Sequence, residues 1–161
     1  MYVSTAGLPA LDIAARFQRG DQRYWHLKCS GCSDGFIPSE TFPECIVDRT
    51  RGVYKASSAE SWWERCVEEQ IFLQCPRCKT IVKDPGNGMY IPHNPGGAYP
   101  SFHVSQLISN FITPGEIWEH YNVAVNKKEF FNAKLGKPYV DEENVPITDE
   151  VLENCVNTDA R

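Results

Sequence analysis

The chain has 161 residues, 42% of them hydrophobic and 23% charged, with a formal net charge of −5. That length holds one domain, or a small domain with flanking segments, and that composition is globular, not disordered. No run approaches the roughly 18 apolar residues that a membrane-spanning helix needs, and so acidic a chain is not a generic nucleic-acid binder.

The charge is uneven. Residues 1–83 carry 11 basic and 10 acidic side chains, and residues 84–161 carry 5 and 11. Any nucleic-acid contact is therefore expected in the first half.

In chain order, residues 1–9 read as a short strand ending in a small-residue turn. Residues 10–17 are amphipathic, with Leu11, Ile13, Ala14 and Phe17 on one side, and Gly20 stops them. Residues 23–28 form a strand that leads into Cys29-Ser-Gly-Cys32. Residues 46–47 and 52–55 read as strands of a small sheet. Ser57 with Glu60 matches a capping box, and Trp62, Trp63, Cys66, Val67 and Gln70 follow at helical spacing. Glu64, Glu68 and Glu69 read as the wet face of that helix. Residues 71–73 form a strand into Cys75-Pro-Arg-Cys78.

After Ile81 and Val82, Asp84-Pro-Gly-Asn-Gly88 makes a turn. Residues 89–100, rich in proline and glycine, read as loop, and residues 101–108 as extended or short helical chain. Thr113, Pro114 and Glu116 open a helix as N-cap, first helical residue and third. Ile117, Trp118, Tyr121, Val125, Phe130 and Phe131 keep one face apolar to about Leu135, where Gly136 and Pro138 end it. Residues 141–143 read as a solvated acidic linker. A last helix begins at Thr148, with Val151, Leu152 and Cys155 on one face.

The two C-x-x-C pairs carry the chemistry. Each is a tight turn aiming two sulfurs at one point, and two such turns complete a tetrahedral thiolate site. Cys29, Cys32, Cys75 and Cys78 are therefore expected to bind one structural zinc ion, with no coordination position left to activate water. A redox dithiol lacks the βαβ surroundings such a motif needs, and disulfides need an oxidising compartment for which no leader segment speaks. Zinc and a reducing cytoplasm are the expectation. The intervening residues 33–74 form an insertion between the two knuckles, cheap because loop-closure entropy grows slowly with length. Cys45, Cys66 and Cys155 are left as buried thiols.

His26, three residues before Cys29, is a weaker alternative ligand, and His93 and His103 are expected as ordinary surface or core imidazoles. Lys28, Arg77, Lys79 and Lys83 flank the sulfurs and offset the double negative charge of a zinc tetrathiolate. The competing use of Arg23, Lys28, Arg77 and Lys79 is contact with a phosphate backbone. No phosphate-binding glycine loop, no G-x-S-x-G elbow and no H-E-x-x-H pair is present, so the chain by itself is not expected to be an enzyme.

The motif order resembles the large terminase subunit of tailed bacteriophages, in its lambda-like branch. The resemblance rests on Asp21-Gln-Arg23 with an aromatic strand running into Cys29-x-x-Cys32, and on Cys75-Pro-Arg-Cys78. Ser101-Phe-His-Val-Ser-Gln-Leu107 and Phe131-Asn-x-x-Leu-Gly-x-Pro138 extend it over residues 2–156. It implies an α+β fold in three parts. Residues 1–20 would end a preceding domain, 21–92 would form a zinc ribbon with an inserted helix, and 93–161 a helical connector with an acidic linker. It further implies a segment between an ATPase and a DNA-cutting nuclease, whose own motifs would lie before Met1 and after Arg161. Implied partners are those two domains, DNA, and the small terminase subunit or portal, in the host cytoplasm and without a membrane. The alternative is a free-standing zinc-ribbon module that binds nucleic acid or protein.

Overall fold

A computed structural model describes residues 4–5 and 12–139. The expected first strand, the acidic linker, the helix from Thr148 and Cys155 lie outside the described residues. The fold is α+β, with two small antiparallel sheets and short helices. Among the described residues no helix is long and apolar enough to cross a membrane.

Helix α1, Asp12–Arg19, comes first, and Gly20 follows it as expected. Strand β1, Arg23–Lys28, then forms the centre of a three-stranded sheet. On one side it pairs with β2, Gly35–Phe36; on the other it pairs with β5, Gly88–Pro92, over five residues from Arg23↔Pro92 to Leu27↔Gly88. The stretch expected as loop is thus partly strand. Pro92 sits at its end, where a missing N–H costs the ladder little. Its alternation is faint because Met89 and Ile91 are exposed on one face, while Tyr90 packs on Trp25 and Phe102 on the other.

Helix α2, Pro38–Thr41, is a single turn. Strand β3, Ile46–Asp48, pairs antiparallel with β4, Ile71–Leu73, in the second sheet. Residues 52–55 are not a strand. Arg51 and Gly52 both take positive φ, 57° and 88°, and turn the chain away from the sheet edge.

Helix α3, Trp62–Glu69, starts four residues later than the Ser57 capping box implies. Ser61 is the N-cap, accepting from the Glu64 amide at 3.2 Å. Ser57 instead bonds Glu68 and the Ala59 amide. The later start puts Trp62 in the first turn, buried, with its Nε1 donating to the Ile112 carbonyl at 3.0 Å.

The expected long helix is broken. Helix α4, Pro114–Val123, carries the capping box of Thr113 and Glu116. Val125, assigned to the apolar face, is fully exposed. Asn126 then caps a new helix, α5, Lys127–Phe130, by accepting from the Lys128 and Glu129 amides. A π-helical turn, Phe131–Leu135, completes it, and Gly136 closes it at φ 68°, where glycine costs least. The break lets Phe130 turn inward against Phe42 and Tyr121 and places Leu135 in the same buried cluster.

One buried cluster joins these parts. Leu27, Ile71, Leu73, Ile117 and Leu135 are at most 1% exposed and belong to it together with Cys29 and Cys75. Each such side chain contributes about 1.5–3 kcal/mol by leaving water. The sulfurs are therefore anchored in the core on one side and reach the surface on the other.

Candidate metal centre

The two cysteine turns are built alike. In the first, the Cys29 amide donates to the Asp34 carbonyl at 2.9 Å and the Ser33 amide to the Cys29 carbonyl at 3.0 Å. In the second, the Cys75 amide donates to Thr80 at 2.9 Å and the Lys79 amide to Cys75 at 3.0 Å. Ser33 and Lys79 hold the same left-handed backbone, φ 62° and 60°. The flanking chain matches too. Lys28 pairs with Gly35, and Gln74 bridges Ile81. Leu27 and Leu73, the residues two before each first cysteine, are both fully buried. The first turn closes the β1–β2 hairpin of the three-stranded sheet, and the second follows β4 of the two-stranded sheet and is closed by the single Gln74↔Ile81 bridge.

The turns face each other about an approximate two-fold axis. Cys29 Sγ lies 3.4 Å from Cys78 Sγ, and Cys32 Sγ lies 3.8 Å from Cys75 Sγ, so the first cysteine of each turn meets the second of the other. All four sulfurs lie within 4.8 Å of one another. A tetrahedral ion with bonds near 2.3 Å needs sulfurs about 3.8 Å apart. A disulfide needs about 2.05 Å, and the cysteines are free thiols. The four residues expected as ligands are therefore brought together, close enough to hold a metal ion.

The same crossing governs the rest of the turns. The third residue of each turn meets the sixth of the other: Gly31 faces Thr80, and Arg77 forms an ion pair with Asp34. A Cβ on Gly31 would lie 2.1 Å from Thr80 Oγ1 and 3.2 Å from Cys78 Sγ. Only glycine lets the turns approach this closely.

The sulfurs differ in environment. Cys29 and Cys75 are 1% and 2% exposed, Cys32 is half-buried and Cys78 is exposed. Thr80 Oγ1 lies 3.2 Å from Cys78 Sγ. Its hydroxyl and amide, followed by Cys29, hold the Cys78 thiol down to about 6. Desolvation and the neighbouring sulfurs push Cys32 up to about 12. Without a cation the cluster thus favours one thiolate and resists the next. A metal ion that pairs with all four removes that resistance, which is why such sites bind metal with loss of protons.

The basic residues fall in two places. Lys28 ends β1, and Arg77 and Lys79 lie in the second turn, all exposed. Arg23 is at the other end of β1, about 17 Å away at strand rise. There it pairs with Asp21 at 2.7 Å and lies over the Phe102 ring. Lys83 lies over the Trp63 ring. The four residues considered for phosphate contact do not form one patch, and two of them already hold carboxylates.

His26 does not join the sulfurs. It projects from the face of β1 opposite Leu27 and meets His93, Nε2 to Nε2, at 2.8 Å. His103 is half-buried against Tyr24 and Phe17, and burial lowers its pKa. Cys45 and Cys66 are fully buried apart from the cluster, and burial pushes both thiols up to about 12.

Glu69 corrects the reading of a wet helix face. Glu64 and Glu68 are exposed, but Glu69 is 2% exposed and accepts from Thr113 Oγ1 at 2.5 Å. It sits at the N-terminus of α4, where partial positive charge accommodates a carboxylate. Its partner lies more than forty residues along the chain, so no local pattern marks it.

No protein-family model matches the chain, and neither a curated protein nor a solved structure matches it.

Proposed function

We propose that Cys29, Cys32, Cys75 and Cys78 bind one structural zinc ion, and that the chain is the connector segment of a phage DNA-packaging terminase large subunit. The observation that carries the first half is the meeting of four thiols at tetrahedral spacing, with no further histidine, cysteine or carboxylate in the group among the described residues. Soft thiolates in a four-sulfur set suit zinc. A filled tetrahedral shell leaves no position for substrate, so the ion's work is mechanical. It ties the β1–β2 hairpin of the three-stranded sheet to the turn that follows β4 of the two-stranded one.

The second half rests on the order of sequence motifs, and the fold is compatible with it. A clamp that locks two sheets and a helical segment into one core suits a piece that must hold neighbouring domains in register. Contact with DNA or a partner subunit would be secondary, since Arg23 and Arg77 are engaged within the chain.

Metal analysis of protein purified without chelator should find one zinc per chain, and X-ray absorption should find four sulfur neighbours. Nitrogen or oxygen in the shell, or no metal at all, defeats the zinc reading. Reading the frames on either side of the coding sequence tests the terminase reading. A phosphate-loop ATPase frame upstream and a nuclease frame downstream support it; their absence favours a free-standing module.

A further inference from the structure

We propose a second metal site, formed by His26 and His93 on the opposite side of β1 from Leu27, for a divalent first-row transition ion that prefers imidazole, such as Ni²⁺ or Cu²⁺. The two Nε2 atoms lie 2.8 Å apart and the ring centroids 5.1 Å apart, so the rings meet head to head. Two nitrogens at that distance share one proton: one ring donates and the other presents its lone pair. Once the donor ring's proton moves to Nδ1, both Nε2 atoms present a lone pair to the same narrow gap.

An ion with metal–nitrogen bonds of about 2.0–2.1 Å needs cis nitrogens about 2.9–3.4 Å apart. The nitrogens need to part by only a few tenths of an ångström, and each ring must tilt by roughly 35–45° so that both lone pairs meet an ion beside the line joining them. His93 is exposed and His26 half-buried, so the movement is open to them. The shared proton passes to Nδ1 of the donor ring, and both imidazoles then ligate in the neutral form. Water completes the shell, a set that suits Ni²⁺ and Cu²⁺ better than the closed tetrahedron of the thiol site.

The scaffold is rigid where it matters. His26 lies within the five-residue pairing of β1 with β5, and the His93 amide continues that ladder to the Gln22 carbonyl at 3.1 Å. Tyr24 backs the His93 ring at 4.8 Å and is itself held by Phe17 at 5.4 Å. A wall of this kind orients an imidazole ligand from behind.

The test uses the 161-residue chain with its thiol cluster first saturated with zinc. Ni²⁺ is added and followed by calorimetry and by paramagnetic broadening of the imidazole resonances. One further equivalent should bind, broadening His26 and His93 before His103 and His120. His26→Gln and His93→Gln should each weaken it at least tenfold with zinc content and fold retained. Binding of the unsubstituted protein should weaken as pH falls and the imidazoles protonate. Equal isotherms for all three proteins, or broadening centred on another histidine, overturn the proposal. The readout is at the imidazoles, so its failure is distinct from a failure of the thiol site.

Discussion

Arg77 in the second cysteine turn forms an ion pair with Asp34 in the first, and Gly31 meets Thr80 through the same crossing in reverse. The two contacts are related by the approximate two-fold axis of the sulfurs but differ in worth. Arg77 and Asp34 are exposed, 75% and 47% by side chain. Such pairs contribute about 0–1 kcal/mol, and salt screens them. Arg77→Ala should therefore leave metal content unchanged and lower the melting temperature little, most visibly at low salt.

Gly31→Ala should do more. Its methyl would overlap Thr80 Oγ1 and crowd Cys78 Sγ, so the turns must separate. Overpacking of this kind costs about 1–3 kcal/mol, and here the separation also stretches the sulfur set. Competition against a metal-binding dye should show weaker retention in Gly31→Ala than in Arg77→Ala. Equal retention would mean that the turns do not need their close approach.

These contacts mark how far the sequence was legible. A C-x-x-C turn is a chemical signal carried in four residues, so the ligand set could be read without knowing the fold. The crossing of Gly31 with Thr80 is tertiary, and nothing in Gly31 alone separates a close approach from a flexible turn. Strand β5 was hidden for a similar reason. Its partner β1 lies some sixty residues earlier, and proline with two exposed apolar residues masked its alternation. The helix after Thr113 shows the converse. Its start was marked by local capping chemistry, whereas its break at Asn126 serves the packing of Phe130 and Leu135, which apolar periodicity alone does not encode.

Metal removal should be a folding event. Structural zinc in small modules binds with about 10–16 kcal/mol of apparent free energy at neutral pH, comparable with the whole stability of a domain. A strong chelator, or Cys29→Ser with Cys75→Ser, should lower the melting temperature sharply and open the hairpins at β2 and Ile81 to hydrogen exchange. Cys66→Ala should keep full metal content, because that thiol is buried apart from the cluster. An unchanged melting curve after chelation would remove the clamp from the argument.

Acid should release the ion, because four thiolates must be reprotonated together. Cys78 is held down to about 6 by Thr80 before any metal binds. Thr80→Val removes the hydroxyl while keeping the shape, so the Cys78 thiolate loses a stabilising partner and the ion should be released at higher pH. Metal retention against pH measures it, and an unshifted release profile would dismiss the role given to Thr80.

Glu69 makes a separate pH prediction of opposite sign. Burial raises its pKa above the ordinary 4.5, and the Thr113 hydroxyl and the Ser57 amide only partly offset this. The fold therefore favours the protonated acid. That contribution is fully present below about 4.5 and is lost as pH rises through the raised value, because the folded state then gives up a proton that the unfolded chain has already lost. Glu69→Gln keeps an acceptor for Thr113 and carries no charge to desolvate. With metal bound in both proteins, acid release of the ion cancels in the comparison. The stability of Glu69→Gln relative to the unsubstituted protein should then rise with pH above about 4.5 and level off once Glu69 is fully ionised. Thr113→Val, which leaves the buried carboxylate with the Ser57 amide but without the Thr113 hydroxyl, and α4 without its cap, should cost about 2–3 kcal/mol at neutral pH. In the Glu69→Gln background the same substitution should cost less, since the group left unpaired is then uncharged. Equal costs in the two backgrounds would show that the hydroxyl acts on the helix alone and that the Ser57 amide is what holds Glu69.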